Sequence, residues 1–166
     1  MSSGGGKLRI IIADDEQYAR YGVQSILSEV RPGDEVVGAA KTGEELVELC
    51  AKKQPDVALV DVRMPGGDGL WAISEGKRLT PDTVWIILTS YPEFDYAKRA
   101  VELGALEYLL KPIAPRELEQ SLTRAAEAVR AAHARSQERF EREMVAILHR
   151  TDSCAPPDEK TETVEY

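Results

Sequence analysis

Residues 57–70 read VALVDVRMPGGDGL, and this stretch decides the fold. Its first four residues, Val57–Val60, form a short apolar run that indicates a buried strand. Asp61 follows the run directly, and a glycine-rich turn leads through Asp68 to a helical pattern over Leu70–Leu79. The stretch therefore predicts a strand, an acidic residue at its carboxyl end, a tight turn and a helix.

The same order of elements occurs along most of the chain. Short apolar runs that indicate strands lie at Leu8–Ile12, Glu35–Ala39, Val57–Val60, Val84–Leu88 and Leu106–Leu110. They are almost continuously apolar rather than alternating, which is typical of a parallel sheet covered on both faces.

Helical patterns separate these runs, at Glu16–Val30, Glu44–Lys53, Leu70–Leu79, Phe94–Leu103 and from Pro115 onward. Thr42 with Glu45 three residues later is typical of a capping box, and Gly104 is placed to end a helix. Five strand–helix alternations predict right-handed crossovers. We expect an α/β, flavodoxin-like, doubly wound five-stranded parallel sheet in the order 2-1-3-4-5, with an extended C-terminal helix.

The last helical pattern is long, because no glycine or proline interrupts residues 116–150. Its first third carries apolar residues that would cover the sheet, whereas the rest has only a ragged, heptad-like stripe among many charges. We expect a flexible leader at residues 1–6 and one compact α/β domain at residues 7–127. An extension of the last helix would occupy residues 128–150, and a disordered tail residues 151–166.

Composition narrows the class of protein. The 166 residues carry a net charge of −8, which argues against binding to nucleic acid or an anionic membrane. The two cysteines, Cys50 and Cys154, form neither a disulfide framework nor a metal-ligand spacing, so we expect a cytoplasmic protein. No apolar run approaches the roughly 18 residues that span a bilayer.

Reactive side chains follow four of the five predicted strands: Asp14 and Asp15, Asp61, Thr89, and Lys111. In the predicted order, the first and third strands are neighbours at the switch point, where open α/β sheets bind ligands. Three carboxylates brought together there repel one another unless a cation joins them, and hard oxygen ligands select Mg²⁺ or Mn²⁺ rather than zinc. A carboxylate can also act as a nucleophile and form an acyl phosphate.

Each of these residues alone has an ordinary explanation. An aspartate after a strand is usually a turn former or a helix cap, and a lysine before a proline is usually a solvated surface residue. Together they form one chemical scheme, in which the metal and Lys111 would neutralise a transferring phosphoryl group.

Four motifs carry a resemblance to a known family. They are Asp14-Asp15-Glu16, Asp61 to Leu70, Leu88-Thr89-Ser90, and Tyr108-Leu109-Leu110-Lys111-Pro112. In this order and spacing they resemble the motifs of bacterial response-regulator receiver domains, over roughly residues 7–127.

The resemblance implies a role for each matching residue. Asp61 would be the phosphoacceptor, assisted by Lys111 and Thr89. Mg²⁺ would be held by Asp15 and Asp61 directly, by Asp14 largely through water, and by the backbone carbonyl of Arg63. Thr89 and Tyr108 would form the switch, and the peptide bond between Lys111 and Pro112 would be cis. The phosphodonor would be a histidine kinase or a phosphotransfer protein.

Residues 91–100 narrow the resemblance, because YPEFDYAKRA is similar to receivers linked to AraC-type DNA-binding domains. No helix-turn-helix pair follows in this chain, so we expect no direct binding of nucleic acid by it. One departure from the family pattern is Arg63, where many members carry a smaller polar side chain. Only its backbone carbonyl would be needed to bind the metal. The unusual side chain bears instead on the rate at which the phosphoryl group is hydrolysed and on specificity.

Two other functions are compatible with parts of the pattern. A phosphatase of the haloacid dehalogenase type also uses a strand-end aspartyl nucleophile, but it requires an aspartate two residues later, where this chain has Arg63. An unphosphorylated dimerisation module would have an incomplete acidic site. For the switch, we expect an output face at Phe94–Leu103, Leu106–Leu110 and Pro115 onward, and a homodimer strengthened by phosphorylation.

Overall fold

The computed structural model describes residues 6–152 and contains five strands alternating with five helices. The strands are β1 (Arg9–Ala13), β2 (Glu35–Ala40), β3 (Val57–Val60), β4 (Val84–Thr89) and β5 (Glu107–Leu110). The helices are α1 (Gln17–Val30), α2 (Gly43–Lys53), α3 (Gly69–Leu79), α4 (Phe94–Glu102) and α5 (Pro115–Asp152).

All five strands pair in parallel in the order β2-β1-β3-β4-β5, which confirms the predicted topology. In this register Ala13 of β1 lies beside Val60 of β3. The next residue of each strand therefore leaves the sheet at the same edge, and the Asp61 amide still donates to the Ala13 carbonyl at 2.9 Å. This pairing brings Asp14 and Asp61 together.

Apolar residues of the strands divide between two core clusters, one on each face of the sheet. On one face Ile10, Ile12 and Leu59 pack with residues of α1 and α5. On the other face Ile11 and Val60 pack with residues of α2 and α3. Both sides of each central strand are therefore buried, which explains why the strands are continuously apolar in sequence.

The helix ends follow local sequence with one difference. Thr42 accepts the Glu45 amide at 3.1 Å, as a capping box requires, but the Glu45 carboxylate reaches the amide of Lys41 rather than that of Thr42. Asp68 caps α3 by accepting the Trp71 amide at 2.8 Å. Gly104 has a φ of 82°, the left-handed conformation predicted after α4.

The part of α5 up to Ala132 belongs to the compact unit that contains the sheet. Its inner face buries Leu118, Leu122, Ala125 and Val129 against the first core cluster. The domain bounds expected from sequence, residues 7–127, stay a prediction. Each apolar residue recurs at helical spacing without a breaker, so the sequence gives no local mark of where the packing ends.

Residues 133–152 form a separate unit, which is helical. Its apolar side chains Phe140, Met144, Ile147 and Leu148 are exposed. The described part of this helix continues to Asp152, past the Arg150 expected from sequence. Apart from Gly6, Thr151 and Asp152, the predicted leader and tail lie outside the described residues.

Candidate functional site

Three carboxylates meet at the carboxyl edge of the sheet. Asp14 and Asp15 follow β1, and Asp61 follows β3. One carboxylate oxygen from each lies within 4.8 Å of the others. Asp14 is buried, Asp61 is half-buried and Asp15 is exposed. The predicted acidic cluster is thus formed, and its oxygen-only donor set fits a hard divalent cation.

Hydrogen bonds with Glu16 and Arg20 help to fix Asp14 in this cluster. Its Oδ1 accepts the Glu16 amide at 2.9 Å, so the carboxylate also supports the turn into α1. The buried guanidinium of Arg20 donates to the Asp14 carbonyl at 2.7 Å. Arg20 was not expected at the site, because in sequence it is one more polar residue of an amphipathic helix.

Asp61 is held by the loop that follows it. Its Oδ1 accepts the Arg63 amide at 3.2 Å, and the Val62 carbonyl accepts the Gly69 amide at 2.7 Å. Gly69 passes so close that an added Cβ would lie 2.2 Å from the Asp61 carbonyl oxygen. A glycine is therefore needed at this position for α3 to begin beneath the acidic residue.

The glycines of this loop act as turn residues, as the sequence indicated. Gly66 and Gly67 have φ values of 64° and 90°. The carbonyls of Pro65 and Gly66 accept the amides of Gly43 and Glu44, at 3.3 and 2.9 Å. The loop is thus joined to the first turn of α2.

Lys111 connects two of the carboxylates. Its Nζ donates to Oδ2 of Asp14 and, at 3.1 Å, to Oδ2 of Asp61. Its backbone amide donates to the Thr89 carbonyl at 2.7 Å, and the bond to Pro112 is cis, as expected. The ammonium therefore partly neutralises the acidic cluster.

The electrostatics of this contact affect both partners. Burial raises the pKa of the Asp61 carboxyl above its usual value, while the charge and hydrogen bond of Lys111 oppose that rise. Burial alone would lower the pKa of the Lys111 ammonium. The carboxylates of Asp14 and Asp61 outweigh it and hold that pKa above its usual value, so Lys111 stays charged.

Thr89 and Tyr108 both contact the loop between β4 and α4. The fully buried Thr89 accepts the Tyr91 amide with its Oγ1 at 3.2 Å. The Tyr108 hydroxyl donates to the Tyr91 carbonyl at 2.7 Å. Burial raises the pKa of the Tyr108 phenol. The two predicted switch residues are therefore linked through the backbone of Tyr91.

Arg63 contributes its side chain as well as the backbone carbonyl expected from sequence. Its Nη2 lies 2.8 Å from Oε1 of Glu93, and its guanidinium carbon lies 3.6 Å from the centroid of the Tyr91 ring. Glu93 is 30 residues away in sequence. No local pattern could have paired these side chains, because their proximity depends on the sheet.

The predicted site residues thus converge at one edge: Asp14, Asp15, Asp61, Arg63, Thr89, Tyr108 and Lys111. A carboxylate beside a charged ammonium, with two further carboxylates adjacent, can accept a phosphoryl group and neutralise its charge.

The chain is similar to a known domain family. The family model described as "Response regulator receiver domain" matches residues 10–123. The transcriptional regulatory protein YesN of Bacillus subtilis is 37% identical over 114 residues, which is 69% of this chain and 31% of that protein. PdtaR of Mycobacterium tuberculosis is 39% identical over 66% of this chain and 52% of its own length. The match therefore spans only about a third to a half of these relatives.

Solved structures agree with the sequence relatives. The REC domain of the response regulator AraT from Geobacillus stearothermophilus has a TM-score of 0.70 and 34% identity, covering 77% of this chain and 99% of that one. The receiver domain of NarL from Mycobacterium tuberculosis has a TM-score of 0.68 and 31% identity, over 73% and 97%. Among residues 6–152, no helix has the length and apolar character needed to cross a membrane.

Proposed function

The chain belongs to the response-regulator receiver domain family, and on that premise we propose that it is the phosphoacceptor switch of a two-component system. Asp61 would accept a phosphoryl group from a histidine kinase or a phosphotransfer protein. The observation that carries the proposal is the contact of Asp61 with the Lys111 ammonium beside two further carboxylates.

The reaction would be a phosphoryl transfer to a carboxylate. An Asp61 oxygen forms a bond to phosphorus while the bond from phosphorus to the donor nitrogen breaks. The donor imidazole leaves with that electron pair and takes up a proton. Receiver domains are signalling proteins, so the reaction would change the receiver itself rather than turn over a separate substrate.

The acidic cluster would hold Mg²⁺, with Mn²⁺ as an alternative of the same hard character. Asp15 and Asp61 would be direct ligands, Asp14 would act largely through water, and Arg63 would offer its backbone carbonyl. The bound ion would neutralise charge on the transferring phosphoryl group. Three carboxylates within 4.8 Å fit this purpose.

Lys111 and Thr89 would bind the phosphoryl oxygens. The ammonium already lies 3.1 Å from Asp61 and is kept charged by its neighbours, so it can donate to the new group. The Thr89 hydroxyl would turn toward the phosphoryl group and weaken its bond with the Tyr91 amide. That movement would let Tyr108 change position, which converts a change of charge into a change of packing.

The output would be read on the face formed by α4, β5 and the first part of α5. Exposed apolar side chains lie there, among them Phe94, Val101 and Leu110. A homodimer strengthened by phosphorylation would bury them. A cytoplasmic location would fit the two cysteines, which form no disulfide framework, and we propose no direct contact of this chain with nucleic acid or membrane.

Two alternatives receive less support. A phosphatase of the haloacid dehalogenase type needs a general acid two residues after the nucleophile. The side chain there is the guanidinium of Arg63, which is bound to Glu93. An unphosphorylated dimerisation module would not need Lys111 between Asp14 and Asp61. Both features favour the phosphoacceptor.

Intact-mass analysis after incubation with acetyl phosphate and Mg²⁺ tests the proposal. We expect one phosphoryl adduct on the wild type and none on Asp61→Asn. Asp95→Asn, which changes an exposed carboxylate in α4, is the matched control and should be labelled normally. An adduct that survives Asp61→Asn, or turnover of a generic phosphate ester, would contradict the proposal.

A further inference from the structure

The side chain of Arg63 joins two loops of the site. Arg63 is the second residue after Asp61, and its backbone amide donates to Oδ1 of that carboxylate at 3.2 Å. Its guanidinium reaches across to the loop between β4 and α4. There it pairs with Glu93 at 2.8 Å and stacks on the ring of Tyr91 at 3.6 Å. The arrangement links the loop after β3 directly to the start of α4.

The guanidinium stacks on Tyr91, whose backbone forms hydrogen bonds with both switch side chains. The Tyr91 amide donates to Thr89, and the Tyr91 carbonyl accepts the hydroxyl of Tyr108. A change in how Arg63 packs on Tyr91 would therefore reach Thr89 and Tyr108 through bonds that already exist.

We propose that Arg63 is a positioning residue that locks the β4–α4 loop while Asp61 is unmodified. A phosphoryl group on Asp61 draws the guanidinium away from Glu93 and so releases the loop. The inference rests on the proposed function, because it requires an anion at Asp61. It adds a second connection between the site and α4, distinct from movement of the Thr89 hydroxyl.

Charge and geometry favour this exchange of partners. A phosphoryl group carries more negative charge than the Glu93 carboxylate, and a guanidinium binds phosphate oxygens through two parallel hydrogen bonds. The side chains of Arg63 and Glu93 are 47% and 50% exposed, so solvent screens their ion pair and it is readily broken. Arg63 also lines the same cavity as Asp15, beside the acidic cluster.

Helix α4 is suited to respond when Glu93 is released. Glu93 is its N-cap residue, yet its side chain makes no capping hydrogen bond and is directed instead to Arg63. Ala100 is the only buried residue of this nine-residue helix. Because so little packing anchors α4, a change at its first turn can alter its position or its fraying.

A double-mutant cycle with a phosphoryl mimic tests the exchange. The probe is beryllium fluoride with Mg²⁺, and its binding is measured by calorimetry on the wild type, Glu93→Gln, Arg63→Gln and the double variant. Without the Glu93 carboxylate, the guanidinium of Arg63 can bind the beryllium fluoride instead. We therefore expect Glu93→Gln to tighten mimic binding about two- to fivefold. In the Arg63→Gln background the same change should have no effect.

Asp95→Asn is the matched control, because it removes one negative charge from the same turn of α4 without touching the Arg63 pair. An equal gain in Asp95→Asn, or an equal gain from Glu93→Gln in both backgrounds, would show a general charge effect and overturn the lock. So would an absence of any gain.

Hydrogen exchange provides a second readout. Arg63→Gln without ligand, and the wild type with the mimic, should both exchange faster than the unliganded wild type at residues 91–96. Protection that is unchanged in Arg63→Gln would also overturn the lock. Failure of the proposed function is distinguishable, because then the wild type itself would not bind the mimic, and the inference would fall with it.

Discussion

The Nζ of Lys111 lies 3.1 Å from Oδ2 of Asp61, although 50 residues separate the two in sequence. The same ammonium donates to Asp14, so one cation lies between a residue after β1 and a residue after β3. In the proposed function this ammonium has two tasks. It balances the carboxylates before phosphorylation and the phosphoryl oxygens afterwards.

Lys111→Ala should separate these two tasks. Without the ammonium, the carboxylates lose a competitor for Mg²⁺, so metal affinity should be unchanged or higher. Binding of beryllium fluoride with Mg²⁺ should weaken by about tenfold or more, because charge-assisted hydrogen bonds are lost. Calorimetric titrations of Mg²⁺ alone and of the mimic measure the two effects. Equal losses in both titrations would contradict the assigned role.

Asp15→Ala should reduce Mg²⁺ affinity by at least about tenfold, because changes even to outer partners of a metal typically cost about that much. Asp15 is the exposed member of the acidic cluster, so its loss should leave the fold intact. Thermal unfolding without metal checks the fold, and titration calorimetry measures the affinity. An unchanged affinity in Asp15→Ala would remove this residue from the proposed ligands.

Asp61→Asn should stabilise the metal-free protein at pH 7. Burial raises the pKa of the folded-state carboxyl, so the folded protein disfavours the ionised form relative to the unfolded chain. Removing that cost should raise the free energy of unfolding. Urea denaturation in the presence of a chelator measures the difference.

The difference in free energy of unfolding between Asp61→Asn and the wild type should shrink as the pH falls through the raised pKa of Asp61. The wild-type carboxyl is then protonated in the folded protein and resembles the uncharged asparagine. The difference should shrink also when Mg²⁺ is added at pH 7, since the ion stabilises the ionised form. A destabilised Asp61→Asn at pH 7 would mean that the pair with Lys111 outweighs the cost of burial.

Gly69→Ala should disturb both stability and the site. The added Cβ would lie 2.2 Å from the Asp61 carbonyl oxygen, so the loop after β3 must move. We expect a loss of about 1–3 kcal/mol in the free energy of unfolding, together with weaker Mg²⁺ binding. Gly22→Ala is the control, because nothing lies within 4 Å of its Cβ position in α1, and it should be neutral or stabilising. Similar behaviour of the two variants would argue against the close approach.

The output face should govern self-association. Val101 on α4 is 72% exposed, so Val101→Glu should prevent a dimer that forms with the phosphoryl mimic while leaving mimic binding intact. Leu79→Gln, at an exposed leucine at the end of α3, is the control and should dimerise normally. Sedimentation at concentrations well above micromolar, with and without the mimic, measures the effect. A monomer under both conditions would defeat the dimer but not the chemistry of Asp61.

Much of the fold could be predicted because burial leaves a local pattern. The run Val57–Val60 was identified to the residue, and the other strands to within one residue at each end, since a strand covered on both faces must be apolar throughout. The end of the compact unit at Ala132 could not be predicted, because the helical pattern continues past it without a break.

The sequence by itself determined the parallel sheet, its strand order and which residues stand at the carboxyl ends of the strands. From those facts the cluster of Asp14, Asp15 and Asp61 followed, because topology alone brings neighbouring strand ends together. Only the tertiary structure decided the partners of the charged side chains. The pairing of Arg63 with Glu93 and the contact of Arg20 with the Asp14 carbonyl join residues with no shared local pattern. Long charged side chains pair with groups that lie close to them in the folded structure. That proximity cannot be inferred from their spacing in sequence.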